Sequence, residues 1–168
     1  MKKLFVLMII SFSFFTTLLA AQPTMSMTDI HGKTYKITGT DQGLKFEGLE
    51  GKIIILEFFG HRCPPCLASI PHLNNLQNNH KKEIAVIAVE VQGYNNTQLS
   101  QFAKNKGINY IVATNANSGN LVTYISQRAQ WQGSIPFTLA IDKKGEVQFV
   151  HAGMLPESSL EALVKQLK

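Results

Sequence analysis

The hydrophobic pattern of the chain changes period several times, and each change predicts an element. Residues 53–59 (Ile-Ile-Ile-Leu-Glu-Phe-Phe) are a continuous apolar run with one acid, Glu57, inside it. Continuous rather than alternating hydrophobicity predicts a central strand covered on both faces. Leu67, Ile70, Leu73 and Leu76 then recur at intervals of three and predict a helix over 64–79. Pro71 should kink it, and Asn78-Asn79-His80 ends it. Residues 84–89 read as a second buried strand. Leu99, Phe102 and Ala103 mark a short helix closed by Gly107. Residues 108–113 follow as a third strand, 115–119 as a loop, and Leu121, Tyr124 and Ile125 as another helical face. A strand over 136–141 meets the turn Asp142-Lys143-Lys144-Gly145 and an antiparallel partner over 146–150. Leu160, Leu163, Val164 and Leu167 give an i, i+3, i+4, i+7 pattern, a terminal amphipathic helix with Ser158 or Ser159 as its N-cap.

Upstream of the first buried strand the pattern is weaker. Residues 25–51 are polar and rich in turn formers; 28–37 read as a hairpin with Gly32 at the turn, and 44–47 as a short edge strand. The order of elements predicts one α/β domain, a central mixed sheet flanked by helices with an N-terminal β-hairpin extension. No repeat or linker divides residues 22–168.

Composition adds compartment. Lys2 and Lys3 precede an uncharged apolar stretch over 4–19, and Ala20-Ala21 precede Gln22-Pro23. This is the layout of a secretory signal peptide over residues 1–21, with an uncleaved membrane anchor as the alternative. Ser11, Ser13, Thr16 and Thr17 make it a mediocre span. Export to the periplasm places the domain where an unprotected cysteine pair oxidises unless a reductant is supplied. The formal charge is +5, and without Lys2 and Lys3 the balance is 14 basic against 11 acidic residues. These charges are scattered, which argues against a nucleic-acid partner.

The candidate chemistry lies in Phe58-Phe59-Gly60-His61-Arg62-Cys63-Pro64-Pro65-Cys66, which holds the only two cysteines of the chain. Two sulfurs three residues apart meet if the second half of the motif is a helical turn. Cys63, at a strand–helix junction, has the free N–H groups and positive dipole end of a helix N-terminus, so it is expected to be the exposed attacking thiol. Cys66, one turn in, is the buried resolving thiol. His61 and Arg62 add positive charge beside Cys63. Pro64 and Pro65 fix the backbone and have no N–H, so the Cys66 amide is the nearest donor to the Cys63 sulfur. Glu57, expected to be buried with a raised pKa, is placed to pass a proton to or from Cys66.

Taken together, these motifs resemble the thioredoxin-fold, exported TlpA/ResA-like thiol:disulfide oxidoreductases. The resemblance runs from about Thr28 to Leu167. It is carried by Gly51-Lys52, the stretch from Phe58 to Cys66, Pro71, Gly107-Ile108, Ile135-Pro136, and Ile141-Asp142 to Gly145-Glu146-Val147. It implies a thioredoxin-like fold, a redox-active Cys63–Cys66 disulfide, a cis peptide at Ile135-Pro136 that holds substrate backbone, and Glu57 at the position of thioredoxin's buried acid. It implies no cofactor. It implies protein thiols and disulfides as substrates, among them apocytochrome c during cytochrome maturation, and a membrane partner that recycles the pair. Leu56-Glu57-Phe58-Phe59 is also similar to the oxidase DsbA, which keeps an oxidase or isomerase role as the alternative. Two departures stand out. Arg62 replaces thioredoxin's Trp, and Ser69 replaces a Glu that many TlpA/ResA-like proteins carry.

A metal-binding chaperone is the reading from another class. Cys63 and Cys66 would join His61 or His72, with Met25-Ser26-Met27 adding soft ligands. A structural zinc site needs four ligands and no second cysteine pair exists. Haem attachment would need His after Cys66, where Leu67 stands. A purely structural role for the disulfide is weak because so short a loop constrains the unfolded chain very little. His31, His80 and His151 read as surface or structural residues, and Trp131 as packing beside the groove.

Overall fold

The computed structural model describes residues 22–168; the expected signal peptide lies outside them. The first buried run becomes β4 (Ile53–Phe59), buried at every position. It pairs in parallel with β5 (Ile84–Glu90) and antiparallel with β7 (Phe137–Ile141). β6 (Ile111–Thr114) and β8 (Val147–Ala152) are the outer strands, giving a five-stranded mixed sheet in the order β6-β5-β4-β7-β8. Strand order and flanking helices make this the thioredoxin-like α/β fold.

Both faces of β4 are covered, and the strand's period of two assigns its side chains to them. Ile53 and Ile55 pack on Leu73 and Leu76 of α1 (Pro64–His80) and on Leu160, Leu163 and Val164 of α4 (Glu157–Leu167). Further along the same face, Phe59 meets Leu99 and Ala103 of α2 (Asn96–Lys106). Ile54, Leu56 and Phe58 point the other way, onto α3 (Leu121–Ala129) and a three-stranded sheet of β1 (Thr24–Thr28), β2 (Thr34–Gly39) and β3 (Leu44–Phe46). The N-terminal extension is therefore a cover for one face of the main sheet. Glu57 shares the α1 face with Ile55 and Phe59, which is what sets it beneath the cysteines.

Several boundaries differ from the hydrophobic pattern. β6 starts at Ile111 rather than 108 because Asn109 is held by helix α1. Its N–H donates to Asn74 Oδ1 at 3.1 Å, and its Nδ2 donates to the Asn74 carbonyl and to Asn78 Oδ1. α4 has no serine cap. Its N-cap is Pro156, whose carbonyl accepts from Ser159 and Leu160, so the helix begins before Ser158. Ala116–Ser118 form a short 3-10 turn inside the expected loop. Pro71 lies on the exposed side of α1, which runs unbroken through it.

Candidate active site

The chain leaves β4 through Gly60-His61-Arg62 and enters α1 at Pro64, and Cys63 is the N-cap between them. The prolines at the first helical positions suit a helix start, where an N–H would be unpaired in any case. Cys63 and Cys66 form a disulfide with their Cα atoms 5.2 Å apart. The Cys66 N–H donates to the Cys63 sulfur at 3.3 Å. Cys63 is 7% exposed and Cys66 0%, so the expected contrast between an exposed and a buried sulfur is small. The Cys63 sulfur lies 3.7 Å from the Ile135 carbonyl oxygen. Ile135-Pro136 is a cis peptide, and Pro136 is buried while Ile135 is half-buried. The loop before β7, far away in sequence, thus contributes a backbone acceptor to the mouth of the site.

Beneath the disulfide lies Glu57, 4% exposed. The Ser69 hydroxyl lies 3.0 Å from Glu57 Oε1 and 2.9 Å from the Cys66 carbonyl, and the Thr138 hydroxyl is at 3.5 Å from Oε2. Burial pushes the Glu57 carboxyl up from 4.5 to about 7, against the two hydroxyls, which favour its charged form. Tyr110 packs over the same face, and burial together with the Glu57 carboxylate drives its phenol well above the ordinary tyrosine range.

A second carboxylate flanks the turn. Glu90 ends β5 directly opposite Phe59 and is fully buried. Its carboxylate meets His61 Nδ1 at 2.8 Å and accepts the N–H groups of Gln92, Gly93 and Tyr94 at 2.9, 3.1 and 2.9 Å. Neither Glu90 nor Ser69, Thr138 and Tyr110 was marked by the sequence pattern as part of a site. For Glu90 the available signal was the one Glu57 gave, an acid attached to a run of buried apolar residues. Arg62 is exposed and its N–H donates to Gln92 Oε1 at 2.8 Å; Pro64 and Pro65 are exposed on the rim.

The residues weighed as metal ligands are spread apart. His61 is engaged by Glu90, His72 Nδ1 lies 3.3 Å from the Leu155 carbonyl, and Met25 and Met27 are buried in β1. Among the described residues, no group of three or more His, Cys, Asp and Glu could hold a metal ion.

Comparison with known proteins agrees with this geometry. The Redoxin family model matches residues 22–164. The chain is 26% identical over 147 residues to the thiol-disulfide oxidoreductase ResA of Geobacillus kaustophilus, covering 87% of this chain and 75% of the relative. It is also 26% identical over 128 residues to ResA of Halalkalibacterium halodurans, covering 76% and 69%. Among solved structures, a thiol:disulfide interchange protein from Chlorobium tepidum superposes with a TM-score of 0.70 at 22% identity, covering 86% of this chain and 93% of that one. A secreted thiol-disulfide isomerase from Corynebacterium glutamicum gives 0.69 at 17% identity, with 87% and 84% covered.

Proposed function

The chain belongs to the Redoxin family, and from that premise we propose that this thiol:disulfide oxidoreductase works in the periplasm as a reductase of exported proteins. Cys63 attacks a substrate disulfide. One substrate sulfur leaves as a thiol, and the other is held in a mixed disulfide. Cys66 then attacks Cys63, the second substrate sulfur leaves, and the Cys63–Cys66 disulfide closes. Two electrons pass to the substrate, and a membrane partner must restore them. Glu57 exchanges the Cys66 proton, and Ile135-Pro136 holds the substrate backbone at the mouth.

The observation that carries the direction is the donor set at Cys63. Pro64 and Pro65 offer no N–H, and the Cys66 amide at 3.3 Å is the backbone donor that reaches the sulfur. A reduced form with little thiolate stabilisation gives up its electrons readily, whereas strong oxidants stabilise theirs. The likeness to the exported ResA-type proteins supports export and puts apocytochrome c forward as a substrate. Among the described residues no helix is long and apolar enough to cross a membrane.

The test is the redox state in cells, fixed by rapid acid quench and alkylation. Cys63 and Cys66 are expected mostly as thiols. A pair found mostly as disulfide at steady state overturns the reductase reading and favours the oxidase or isomerase role that Leu56-Glu57-Phe58-Phe59 suggests.

A further inference from the structure

We propose that Glu90 and His61 act as a positioning pair for Cys63: the carboxylate clamps the turn that delivers the nucleophile, and the imidazole shields the nucleophile from the carboxylate's charge. The proposal rests on the reading of Cys63 as the attacking thiol.

A fully buried carboxylate is costly unless hydrogen-bonded and compensated. Glu90 meets that need from two directions at once. Three backbone N–H groups come from residues 92–94, on the loop after β5, and the fourth contact is His61 Nδ1, on the turn before Cys63. The carboxylate therefore joins the two segments that wall the site. Further bonds run between the same segments: Val91 N–H donates to the Phe59 carbonyl at 2.9 Å and Arg62 N–H to Gln92 Oε1 at 2.8 Å. The His61 ring stacks on Tyr94 with centroids 3.6 Å apart and planes 9° from parallel, and the Tyr94 N–H bonds the same carboxylate. The imidazole is thereby fixed in position and tilt.

The ionisable groups around the nucleophile are His61 and Arg62 on its own turn, Glu90 at the end of β5, Tyr94 on the loop after it, and Glu57 and Tyr110 on the α1 side of the sheet. Of these, Glu90 is a buried acid whose partner on the turn is His61. When His61 is replaced by Gln, no ionisable group on the turn stands at 2.8 Å from the Glu90 carboxylate to balance it, and a buried negative charge beside the turn opposes formation of the Cys63 thiolate.

The experiment is the pH profile of iodoacetamide alkylation of the fully reduced protein, with the labelled cysteine located by mass spectrometry. His61→Gln is expected to move the Cys63 profile to higher pH and slow labelling at pH 6 about tenfold, the change expected for one unit of displacement. The double variant H61Q/E90Q is expected to return to within about twofold of the parent, because the unbalanced charge is gone. Should the Glu90 variant fail to fold, His61→Lys decides, since an ammonium placed beside Glu90 balances its charge and should undo the slowing seen in H61Q. An unmoved profile in H61Q overturns the proposal, as does a double variant or H61K as slow as H61Q. Labelling of Cys66 ahead of Cys63 in the parent protein overturns the reading of the site itself, whatever the variants do.

Discussion

The Ser69 hydroxyl lies 3.0 Å from Glu57 Oε1. The same hydroxyl is 2.9 Å from the carbonyl of Cys66, one helical turn earlier. A residue of the cysteine-bearing helix thus joins the turn of Cys66 to a carboxyl on the central strand. The arrangement places a titratable group, pushed up to about 7, one hydroxyl away from the turn of Cys66, the thiol proposed to resolve the mixed disulfide.

Glu57→Gln removes the proton acceptor while keeping the volume. The step in which Cys66 resolves the mixed disulfide should slow on the order of a hundredfold at pH 7, the usual size of a general-base contribution. Alkylation of Cys63, which precedes that step, should change little. Single-turnover reduction of a disulfide-linked fluorescent peptide reads both, and unchanged resolution in E57Q would refute the proton relay.

Burial of Glu57 also makes stability depend on pH. The folded-state pKa is raised above 4.5 to about 7, so the native state holds the proton more tightly than the unfolded chain does. Its contribution is fully present below pH 4.5 and is lost as pH rises through about 7. The loss is on the order of 3 kcal/mol at most. Urea unfolding between pH 4 and 9 should show a decline in the parent protein, measured relative to E57Q, in which this decline is absent. Parallel curves for the two proteins would contradict the burial assignment.

Ser69→Ala separates the hydroxyl from the acid. Ser69 favours the charged form of Glu57, so its loss should raise the carboxyl further and move the inflection in the resolution rate above pH 7. Thr138, at 3.5 Å on the opposite oxygen, should compensate only in part. An inflection that stays in place, in a variant with native circular dichroism, would mean that Ser69 serves the helix alone.

The sequence made the sheet and the disulfide legible because both are written in local patterns. Uninterrupted apolar runs mark β4 and β5, and two cysteines after such a run mark a strand–helix junction. Glu57 was legible for a related reason, as a charge where every neighbour is buried. What stayed hidden depends on contacts between distant segments. Asn109 looks like a strand residue until Asn74 and Asn78 of α1 bond to it and delay β6. Glu90 looks like the polar end of a strand, and only the folded chain brings His61 to it. Ser69 appeared as a missing acid, and its hydroxyl found a role because β4 runs beneath α1.

The turn before the cysteines yields the last prediction, from two glycines with different constraints. A Cβ on Gly60 would fall 2.2 Å from Cδ of Gln92, whereas one on Gly93 would meet nothing within 4 Å. Gly93 instead has φ +97°, a backbone conformation that side chains rarely adopt. Gly60→Ala should therefore act by pushing Gln92 away from the Arg62 N–H and loosening the turn. It should cost about 1 kcal/mol, since the clash falls on the end of a flexible side chain and what is lost is mainly its hydrogen bond, together with a clear loss of insulin-reduction rate. Adding Gln92→Ala removes the clash. It cannot restore the acceptor for Arg62 N–H, so stability and rate should both remain low. Recovery of both in G60A/Q92A would show that Gln92 fills space and does not hold the turn.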